Sequence, residues 1–396
     1  MVRILRKLGL ITITICISSF LYVCLFRHPK TFANTAEDQY VLTIIREYAK
    51  VNISLPKESS STYVTEQNTH LPRPTWKSMY HKHSLWQKQI SFRDLALRLQ
   101  KQRRYYQTKN IYKVKYEGKI DQQHKPHDIL CQLKLKVNIT TLTRSDLSDN
   151  AIPWSHYLPN KDVNEAVGKL RRCAVVASAG SMRGSKLGQE IDSHDAVLRF
   201  NAAPTKEFET DVGSKTTFRL INSQVVTQKE FNFTKNPIYK DVILILWDPA
   251  PYDADIYQWY KKPEYKFFEP YRKYRLANPE QPFYILKPQM LWQLWNIIQE
   301  NSPEFIHPNP PSSGSIGILL MMNICDEVNV YEFLPSSRQT DRCYYYKRYL
   351  DAACTFGAYH PLIYEKNLIK KLNQGTDENI HKNGKVTLSG IRDLQC

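Results

Sequence analysis

Small polar side chains follow three short apolar runs in the middle of the chain. They are Ser178-Ala-Gly-Ser181, Phe200-Asn-Ala-Ala-Pro204 and Ile221-Asn-Ser-Gln224. In an open α/β sheet, ligands bind beyond the carboxyl ends of the strands, so these loops would meet at one edge. Serine and asparagine side chains there could hold a ribose, a base edge or a phosphate. Ordinary turns have the same composition, and the loops alone leave both interpretations open.

A second candidate is Pro308-Asn-Pro-Pro-Ser-Ser-Gly314, which precedes an apolar run. Ser312 or Ser313 is placed to cap the helix that this run predicts. Free N–H groups and a partial positive charge make a helix N-terminus an anion site. Capping by itself also explains the two serines.

His360 is the candidate general base. It lies in Gly357-Ala-Tyr-His-Pro361, and the proline that follows favours an extended or turn backbone. Histidine titrates near neutral pH, which suits proton transfer. Histidines are more often structural, so this residue by itself does not establish catalysis.

Asp253-Ala-Asp255 is a candidate metal site, because two closely spaced carboxylates can hold a divalent cation. The triplet lies in a loop rich in tyrosine and proline, and such triplets arise easily by chance. We predict no metal in this protein.

Alternating strands and helices would position these residues. Apolar runs typical of buried strands occupy 173–177, 196–200, 216–221, 242–247 and 329–333. Helices are predicted at 92–99, 187–191, 291–300 and 315–325, the last apolar on almost all sides and hence buried. The alternation argues for an α/β domain with a mostly parallel sheet.

The N-terminal region predicts a membrane anchor. Residues 8–26 are apolar and uncharged, near the roughly 20 residues that a spanning helix needs. Three basic residues precede them, which favours a cytoplasmic tail at 1–7 and a luminal remainder. No small-residue cleavage site follows, so we predict a signal-anchor and not a cleaved signal peptide. A luminal stem over 27–128 would grade into a domain at 129–396.

Cysteines and sequons agree with a lumen. Six cysteines lie beyond the apolar run, an even number that indicates disulfides in an oxidising compartment. Six cysteines allow 15 pairings, and spacing alone does not choose among them. No C-x-x-C pair or Cys/His cluster has zinc spacing. Three N-x-S/T sequons predict glycosylation at Asn52, Asn138 and Asn232.

The net charge of +17 raises the question of an acidic partner. Nucleic acid is the first that such a charge suggests. An acidic small substrate, an anionic membrane surface or a solvated basic face fits as well. A luminal domain with sequons argues against nucleic acid, and we expect none as a partner.

Two long blocks of the chain resemble motifs of the animal sialyltransferases. Residues 173–224 resemble the long motif, including Ser-His-Asp-Ala-Val-Leu-Arg-Phe-Asn201 and Asp211-Val-Gly-Ser-Lys-Thr-Thr217. His307 to Asn329 resembles the short motif, with Pro-Pro-Ser-Ser-Gly314 at its centre.

Two further motifs follow in the same order as in that family. Gln339 to Tyr346 resembles the third motif, and His360 with Glu365 resembles the last. The similarity runs from about Cys131 to Cys396 and is strongest toward the β-galactoside α-2,6 branch.

The resemblance implies a fold and a reaction. The fold would be a GT-A variant with a single Rossmann-like sheet flanked by helices. The enzyme would transfer sialic acid from CMP-sialic acid to the 6-hydroxyl of terminal β-galactose (Gal-β1,4-GlcNAc) on N-glycans and oligosaccharides. His360 would act as general base in a direct, inverting displacement without cofactor or metal. The leaving group is a nucleoside monophosphate, which helix N-termini and backbone donors could stabilise without a cation.

The resemblance also implies site residues by matching position. Donor binding would involve Ser178, Asn201, Asn222, Ser312, Ser313, Tyr344 and Thr355, with the backbone at Cys343. Acceptor binding would involve Gln224, Glu264, Tyr359 and Lys366. Glu264 stands where the family pattern has an aspartate and Lys347 where it has a glutamine, and both bear on acceptor preference. The implied disulfides are Cys131–Cys396, Cys173–Cys325 and Cys343–Cys354.

The implied location is the Golgi membrane, as a single-pass type II protein with a luminal catalytic domain. Its partners would be CMP-sialic acid, galactose-terminated glycans of glycoproteins and the membrane that holds the anchor. A soluble form released by stem cleavage and a homodimer both stay open.

Two other functions fit the same anchor, sequons and disulfides. A Golgi sulfotransferase should carry a phosphosulfate cradle near its first strand, and Ser178-Ala-Gly-Ser181 lacks the basic residue expected there. A non-catalytic membrane lectin would not depend on His360, so substitution of that residue separates the two classes.

Overall fold

The computed structural model describes residues 92–147, 154–351 and 353–396, without the side chains of 92–96, 353 and 355. The predicted tail and anchor, most of the stem and the Asn52 sequon lie outside the described residues. Among the helices within these ranges, none combines the length and the apolar character that crossing a membrane requires.

A seven-stranded sheet forms the centre of the described chain. Its strands are β1 (Leu170–Val176), β2 (Ala196–Phe200), β3 (Phe218–Asn222), β4 (Ile243–Trp247), β5 (Phe283–Ile285), β6 (Cys325–Tyr331) and β7 (Lys385–Ser389). The order is β5-β4-β3-β2-β1-β6-β7, and every pair is parallel except β6 with β7. The predicted mostly parallel α/β sheet is confirmed.

The strands follow from the burial that a covered parallel sheet imposes. All five residues of β2 are buried, as are the last four of β4. Parallel strands covered on both faces need near-continuous apolar runs, which is the pattern that predicted them. Two strands went unpredicted: β5 has only three residues, and β7 is an edge strand that alternates between buried and partly exposed positions.

Helices connect and cover the strands. The α-helices are α1 (Phe92–Lys109), α2 (Pro126–Lys136), α3 (Val163–Val167), α4 (Gly188–Asp192), α5 (Glu209–Val212), α6 (Ser223–Thr227), α7 (Ile256–Lys261), α8 (Phe268–Ala277), α9 (Gln289–Glu300), α10 (Ser313–Ile324), α11 (Ala353–Phe356), α12 (Leu362–Leu372) and α13 (Asp377–Asn383). Short 3₁₀ turns lie at Arg144–Asp146, Ser155–Tyr157, Gly180–Met182, Lys229–Phe231 and Pro237–Tyr239.

Helix α10 is the buried helix that the sequence predicted, and it packs against β1, β2, β3 and β6. A Cβ atom at Gly317 would lie 2.7 Å from the Phe200 ring, so the close approach to β2 requires glycine. The predicted C-terminal end was wrong by one residue, because Cys325 is the first residue of β6. There it forms the disulfide to Cys173 on the neighbouring strand β1. The strand predicted at 329–333 likewise begins and ends earlier, at Cys325–Tyr331.

The three disulfides have the pairing that the resemblance implied. They are Cys131–Cys396, Cys173–Cys325 and Cys343–Cys354. Of the predicted glycosylation sites, Asn138 and Asn232 are exposed, as glycan attachment requires.

The segment before the predicted domain boundary at 128/129 packs against the rest. Tyr106 is buried, with its ring 5.5 Å from that of Tyr359 and 6.2 Å from that of His307. Tyr112 is also buried, 5.3 Å from Trp292. Residues that the sequence analysis assigned to the end of the stem therefore belong to the packed domain, and they line or support the cleft described below.

Candidate active site

A cleft of about 530 Å³ opens at the carboxyl edge of the sheet. The strand order reverses direction at β1, which has β2 on one side and β6 on the other. Open α/β sheets bind ligands at such a switch point. The loops after β1 and β2 and the N-terminus of α10 meet there, as predicted, together with the loop after β6, which was not predicted. The predicted loop after β3 does not line the cleft. Of the predicted site residues the cleft is lined by Ser178, Asn201, Ser312, Ser313, Cys343, Tyr344, Tyr359, His360 and Lys366.

The loop after β1 is held close to the segment before α11. The Ser178 carbonyl accepts a hydrogen bond from the Tyr345 backbone N–H at 3.2 Å. A Cβ atom at Gly180 would lie 2.2 Å from the Arg342 carbonyl oxygen, so only glycine fits. Ser181 donates from its hydroxyl to Glu332 at 2.6 Å, which fixes the loop to the end of β6.

Asn201 and Asn222 are linked across the ends of β2 and β3. Asn201 has a left-handed backbone (φ +46°), and its Oδ1 accepts from the Asn222 backbone N–H at 3.0 Å. Arg219 donates to the Asn201 carbonyl at 2.9 Å and holds this conformation. Asn222 is not part of the cleft lining, but its Oδ1 is buried and finds no hydrogen-bond partner within the described residues. Such an orphaned acceptor suits a ligand that donates a hydrogen bond.

The N-terminus of α10 carries the predicted cap. The Ser312 hydroxyl accepts from the Ser315 N–H at 3.3 Å. Buried Glu365, from α12, accepts from the Ser312 N–H at 2.8 Å and from both the Ser312 and Ser315 hydroxyls. The carboxylate of Glu365 therefore occupies part of the anion site at the N-terminus of α10. Ser313 Oγ accepts from Trp247 Nε1 at 3.0 Å, so its hydroxyl hydrogen can serve another acceptor.

His360 has the protonation pattern of a base. Its Nδ1–H donates to the Pro310 carbonyl at 2.8 Å, which leaves the Nε2 lone pair free in the neutral ring. Desolvation by the surrounding protein lowers the pKa of His360, while the Glu365 carboxylate and the Pro310 hydrogen bond act in the opposite direction. The imidazole is therefore neutral at neutral pH and can accept a proton.

Two buried side chains fix the backbone beside His360. The Tyr359 carbonyl accepts from His307 Nε2–H at 2.8 Å and from Asn309 Nδ2 at 2.7 Å. Burial, with a smaller effect of Arg103, lowers the pKa of His307 to about 4, so this histidine stays neutral. The backbone that carries His360 is therefore held by hydrogen bonds from two buried side chains.

Tyrosine hydroxyls form a hydrogen-bonded chain next to the base. The Tyr359 and Tyr112 hydroxyl oxygens lie 2.5 Å apart, and Tyr112 donates to Glu264 Oε2 at 3.0 Å. Glu264 does not line the cleft itself, but this chain connects it to Tyr359. Gln224 lies in α6 and is not part of the lining. Tyr112 was missed by the sequence analysis, since a tyrosine in a basic, tyrosine-rich segment carries no specific signal.

Two buried charged groups lie in the cleft wall. Burial lowers the pKa of Lys366 to about 8, against the opposing effect of Glu365 and Glu332. Glu332, at a left-handed position (φ +57°) after β6, accepts from Ser336 and from Arg338 at 2.6 Å. Glu332 was also missed, because its partners lie in loops that only the fold brings together.

The segment joined by the Cys343–Cys354 disulfide closes one side of the cleft. The Cys343 N–H donates to the Tyr349 carbonyl at 3.0 Å, and Tyr344 is about two-fifths exposed at 38 %. The Thr355 side chain lies outside the described residues.

Carboxylates and thiolates could in principle hold a metal at two places. Within the described chain, Cys343, Asp351 and Cys354 lie close enough together to ligate one ion, but both sulfurs are committed to a disulfide. Asp255 caps α7 by accepting from the Gln258 N–H at 2.7 Å. Asp253 lines a separate groove and not the cleft.

The fold is an α/β sheet with a cleft at its switch point, and comparison with known proteins gives the class. The chain belongs to glycosyltransferase family 29 (sialyltransferase), whose model matches residues 114–376. The chain is 47 % identical over 392 residues to human beta-galactoside alpha-2,6-sialyltransferase 1, and the match covers 95 % of each chain.

Other relatives carry similar names. The mouse beta-galactoside alpha-2,6-sialyltransferase 1 is 53 % identical over 313 residues, which are 79 % of this chain and 77 % of the relative. The human beta-galactoside alpha-2,6-sialyltransferase 2 is 51 % identical over 313 residues, 79 % of this chain and 59 % of the relative. A crystal structure of a mammalian sialyltransferase in complex with Gal-beta-1-3GalNAc-ortho-nitrophenol matches at 21 % identity and TM-score 0.42, over 65 % of this chain and 96 % of that one.

Proposed function

We propose that this sialyltransferase moves sialic acid from CMP-sialic acid to the 6-hydroxyl of a terminal β-galactose, in an α-2,6 linkage. The observation that carries the proposal is His360, a neutral imidazole with a free Nε2 in a cleft at the switch point of the sheet. The names of the relatives at 47–53 % identity supply the linkage and the acceptor sugar.

The reaction is an inverting displacement. His360 Nε2 takes the proton of the galactose 6-hydroxyl as that oxygen attacks the anomeric carbon of sialic acid. The bond from this carbon to the CMP phosphate oxygen breaks, and CMP leaves. A positioned general base contributes about 10²–10⁴-fold to such a rate. The tied carbonyls of Pro310 and Tyr359 support this role, because they hold the ring in one tautomer and one place.

The donor lies along the loops after β1, β2 and β3. Ser178, Asn201 and the orphaned Asn222 Oδ1 bind the nucleoside, since an exocyclic amine or a ribose hydroxyl can donate to that oxygen. The free hydroxyl hydrogen of Ser313 and the hydroxyl of Tyr344 serve the phosphate. A monophosphate leaving group needs fewer cationic partners than a diphosphate, so the reaction proceeds without a metal.

The acceptor lies beside Tyr359. The hydroxyl of Tyr359, the Tyr112–Glu264 pair and Lys366 offer donors and acceptors to the ring hydroxyls of galactose. Gln224, in α6, is assigned to the acceptor by the family resemblance alone. The glutamate at 264 reaches further than an aspartate and bears on acceptor preference.

The enzyme works in the Golgi lumen. The apolar run at 8–26 holds it in the membrane as a type II protein, and the three disulfides suit an oxidising lumen.

A transfer assay tests the proposed function. The purified full-length chain, given CMP-sialic acid and Gal-β1,4-GlcNAc, should form a sialylated product. An α-2,6 linkage in that product resists an α-2,3-specific sialidase and is cleaved by a sialidase of broad specificity. Activity should persist in chelator. His360→Ala should lower kcat by roughly 10²–10⁴-fold, whereas His156→Ala, at an exposed histidine outside the cleft, should leave it unchanged.

Absence of transfer by the wild-type chain contradicts the proposed function. A His360→Ala enzyme with the wild-type rate contradicts the assignment of the base. Loss of activity in chelator would return Asp253 and Asp255 to consideration as metal ligands.

A further inference from the structure

A buried carboxylate beside the cleft, Asp248, has no part in the proposed chemistry. It directly follows β4 and is 1 % exposed. Asn222 and Trp247 are register partners at the carboxyl ends of β3 and β4, so Ser223 and Asp248 are the next pair along. Asp248 therefore lies at the functional edge of the sheet without reaching the cleft.

Four donors converge on this carboxylate. The hydroxyl of Ser223 and the Tyr265 N–H (3.4 Å) donate to Oδ1. Trp259 Nε1 (2.8 Å) and the Glu264 N–H (3.0 Å) donate to Oδ2. Oδ1 thus joins α6 to the loop before α8, and Oδ2 joins α7 to the same loop. The four hydrogen bonds offset the cost of burying the carboxylate.

The loop between α7 and α8 depends on these contacts. It has no helical or strand backbone pattern, and two successive N–H groups, of Glu264 and Tyr265, both point to Asp248. A loop without its own hydrogen-bond ladder is positioned by such anchors. Asp248 thereby fixes where the Glu264 side chain begins.

From Glu264 the hydrogen bonds continue to the hydroxyl of Tyr359. Glu264 Oε2 accepts from Tyr112, whose hydroxyl lies 2.5 Å from that of Tyr359, the residue before His360. This series of contacts begins at buried Asp248 and ends at Tyr359 in the cleft. The donor-side Asn222 is held separately, by its bond to Asn201 and by the β3–β4 ladder.

We propose that Asp248 is a positioning residue for the acceptor: it fixes Glu264 and the Tyr112–Tyr359 pair relative to the β4 edge, so that acceptor affinity depends on it and donor affinity does not. The inference rests on the proposed function, which puts the galactose beside Tyr359. With 1 % of its surface exposed, Asp248 acts through Glu264 and does not touch substrate.

Steady-state kinetics of the full-length chain test the positioning role of Asp248. The donor and acceptor concentrations are varied separately. Asp248→Ala should raise the KM for Gal-β1,4-GlcNAc about tenfold, the effect of losing one strong hydrogen-bonded anchor. The KM for CMP-sialic acid, and the Kd for CMP by calorimetry, should stay within about twofold of wild type. Asp248→Asn should restore most of the acceptor affinity, because its oxygen still accepts from Trp259 and Glu264 and its amide can donate to Ser223. Only the long contact with the Tyr265 N–H (3.4 Å) is lost.

Other outcomes overturn the inference. They are a folded Asp248→Ala chain with wild-type acceptor KM, or one in which both KM values rise equally. If Asp248→Ala does not fold, Ser223→Ala, which removes one donor to Oδ1, should still raise the acceptor KM about two- to threefold and spare the donor KM. Equal effects of Ser223→Ala on both substrates, or none on the acceptor, also overturn it. Wild-type transfer to galactose is measured first, so failure of the proposed function is seen separately.

Discussion

Burial and neighbouring charges decide the chemistry of single residues in the cleft. His360 and Lys366 are both titratable, but the surrounding protein lowers the pKa of each, to about 8 for Lys366. The histidine is thereby neutral and the lysine charged at neutral pH. A base and a cation can thus lie side by side in one wall, with Glu365 stabilising the charged form of both.

The pH profile follows from the lowered pKa of His360. The base acts when neutral, so activity is present above its pKa in the folded enzyme and is lost as pH falls through it. Because that pKa lies below the ordinary value of about 6.5, the acid limb of kcat/KM for CMP-sialic acid, measured at saturating acceptor, should be centred below pH 6.5. A limb centred above pH 6.5 contradicts this.

Asp248→Asn is the control for this profile. Burial raises the pKa of Asp248 to about 6, so its titration overlaps the same range. Asp248→Asn should change the pH dependence of the acceptor KM and leave the acid limb of kcat/KM for CMP-sialic acid in place.

At the scale of elements, α12 organises both the base and the end of another helix. It begins directly after His360-Pro361, and Glu365 in its first turn reaches the N-terminus of α10. One short stretch of sequence therefore supplies the base, the anion that caps α10 and buried Lys366. The position of α12 on α10 fixes all three relative to the sheet.

Removal of the Glu365 carboxylate should destabilise the fold. Glu365→Ala leaves the Ser312 N–H and two serine hydroxyls without their partner, at a cost of about 2–4 kcal/mol in the free energy of unfolding. Glu365→Gln keeps the shape and one acceptor oxygen and should cost about 1–2 kcal/mol. Denaturant unfolding measures both.

A matched control is Glu378→Ala, at an exposed glutamate that pairs with Lys382 one turn away. Exposed pairs contribute little, so no measurable change is expected there. A Glu365→Ala chain as stable as Glu378→Ala would show that the N-terminus of α10 does not need the Glu365 carboxylate.

At the scale of the whole molecule, two disulfides hold distant parts of the chain together. Cys173–Cys325 joins the neighbouring strands β1 and β6, and Cys131–Cys396 joins α2 to the C-terminal residues across a sequence separation of 265. The third, Cys343–Cys354, spans only 11 residues and lines the cleft.

The long-range and the local disulfide should therefore have different roles. Replacing Cys131 and Cys396 by serine should lower the free energy of unfolding by about 2–5 kcal/mol and leave both KM values unchanged, because this bond lies away from the cleft. Replacing Cys343 and Cys354 should instead raise the KM for CMP-sialic acid. Thermal unfolding and steady-state kinetics separate the two effects, and the reverse pattern contradicts the assignment.

The sequence by itself determined the sheet and much of its functional edge. Apolar runs of five or six residues predicted β1 to β4 and the approximate place of β6, because burial on both faces imposes such runs. Serine before an apolar helix predicted a cap at Ser312 or Ser313, and the structure has it at Ser312. The family motifs implied the disulfide pairing, which spacing alone left open and the structure confirms. The same motifs predict that His360 is the base.

Only the tertiary structure decided which side chains meet. Tyr112 and Glu264 are 152 residues apart in the chain, and Ser181 and Glu332 are 151 apart. Asp248 joins the end of β3 to the loop before α8. The spacing of apolar residues in a segment shows which of its faces is buried. A hydrogen bond between two distant loops produces no such spacing in either loop. The order of the strands, and the close approach of their ends, brings these groups to one edge.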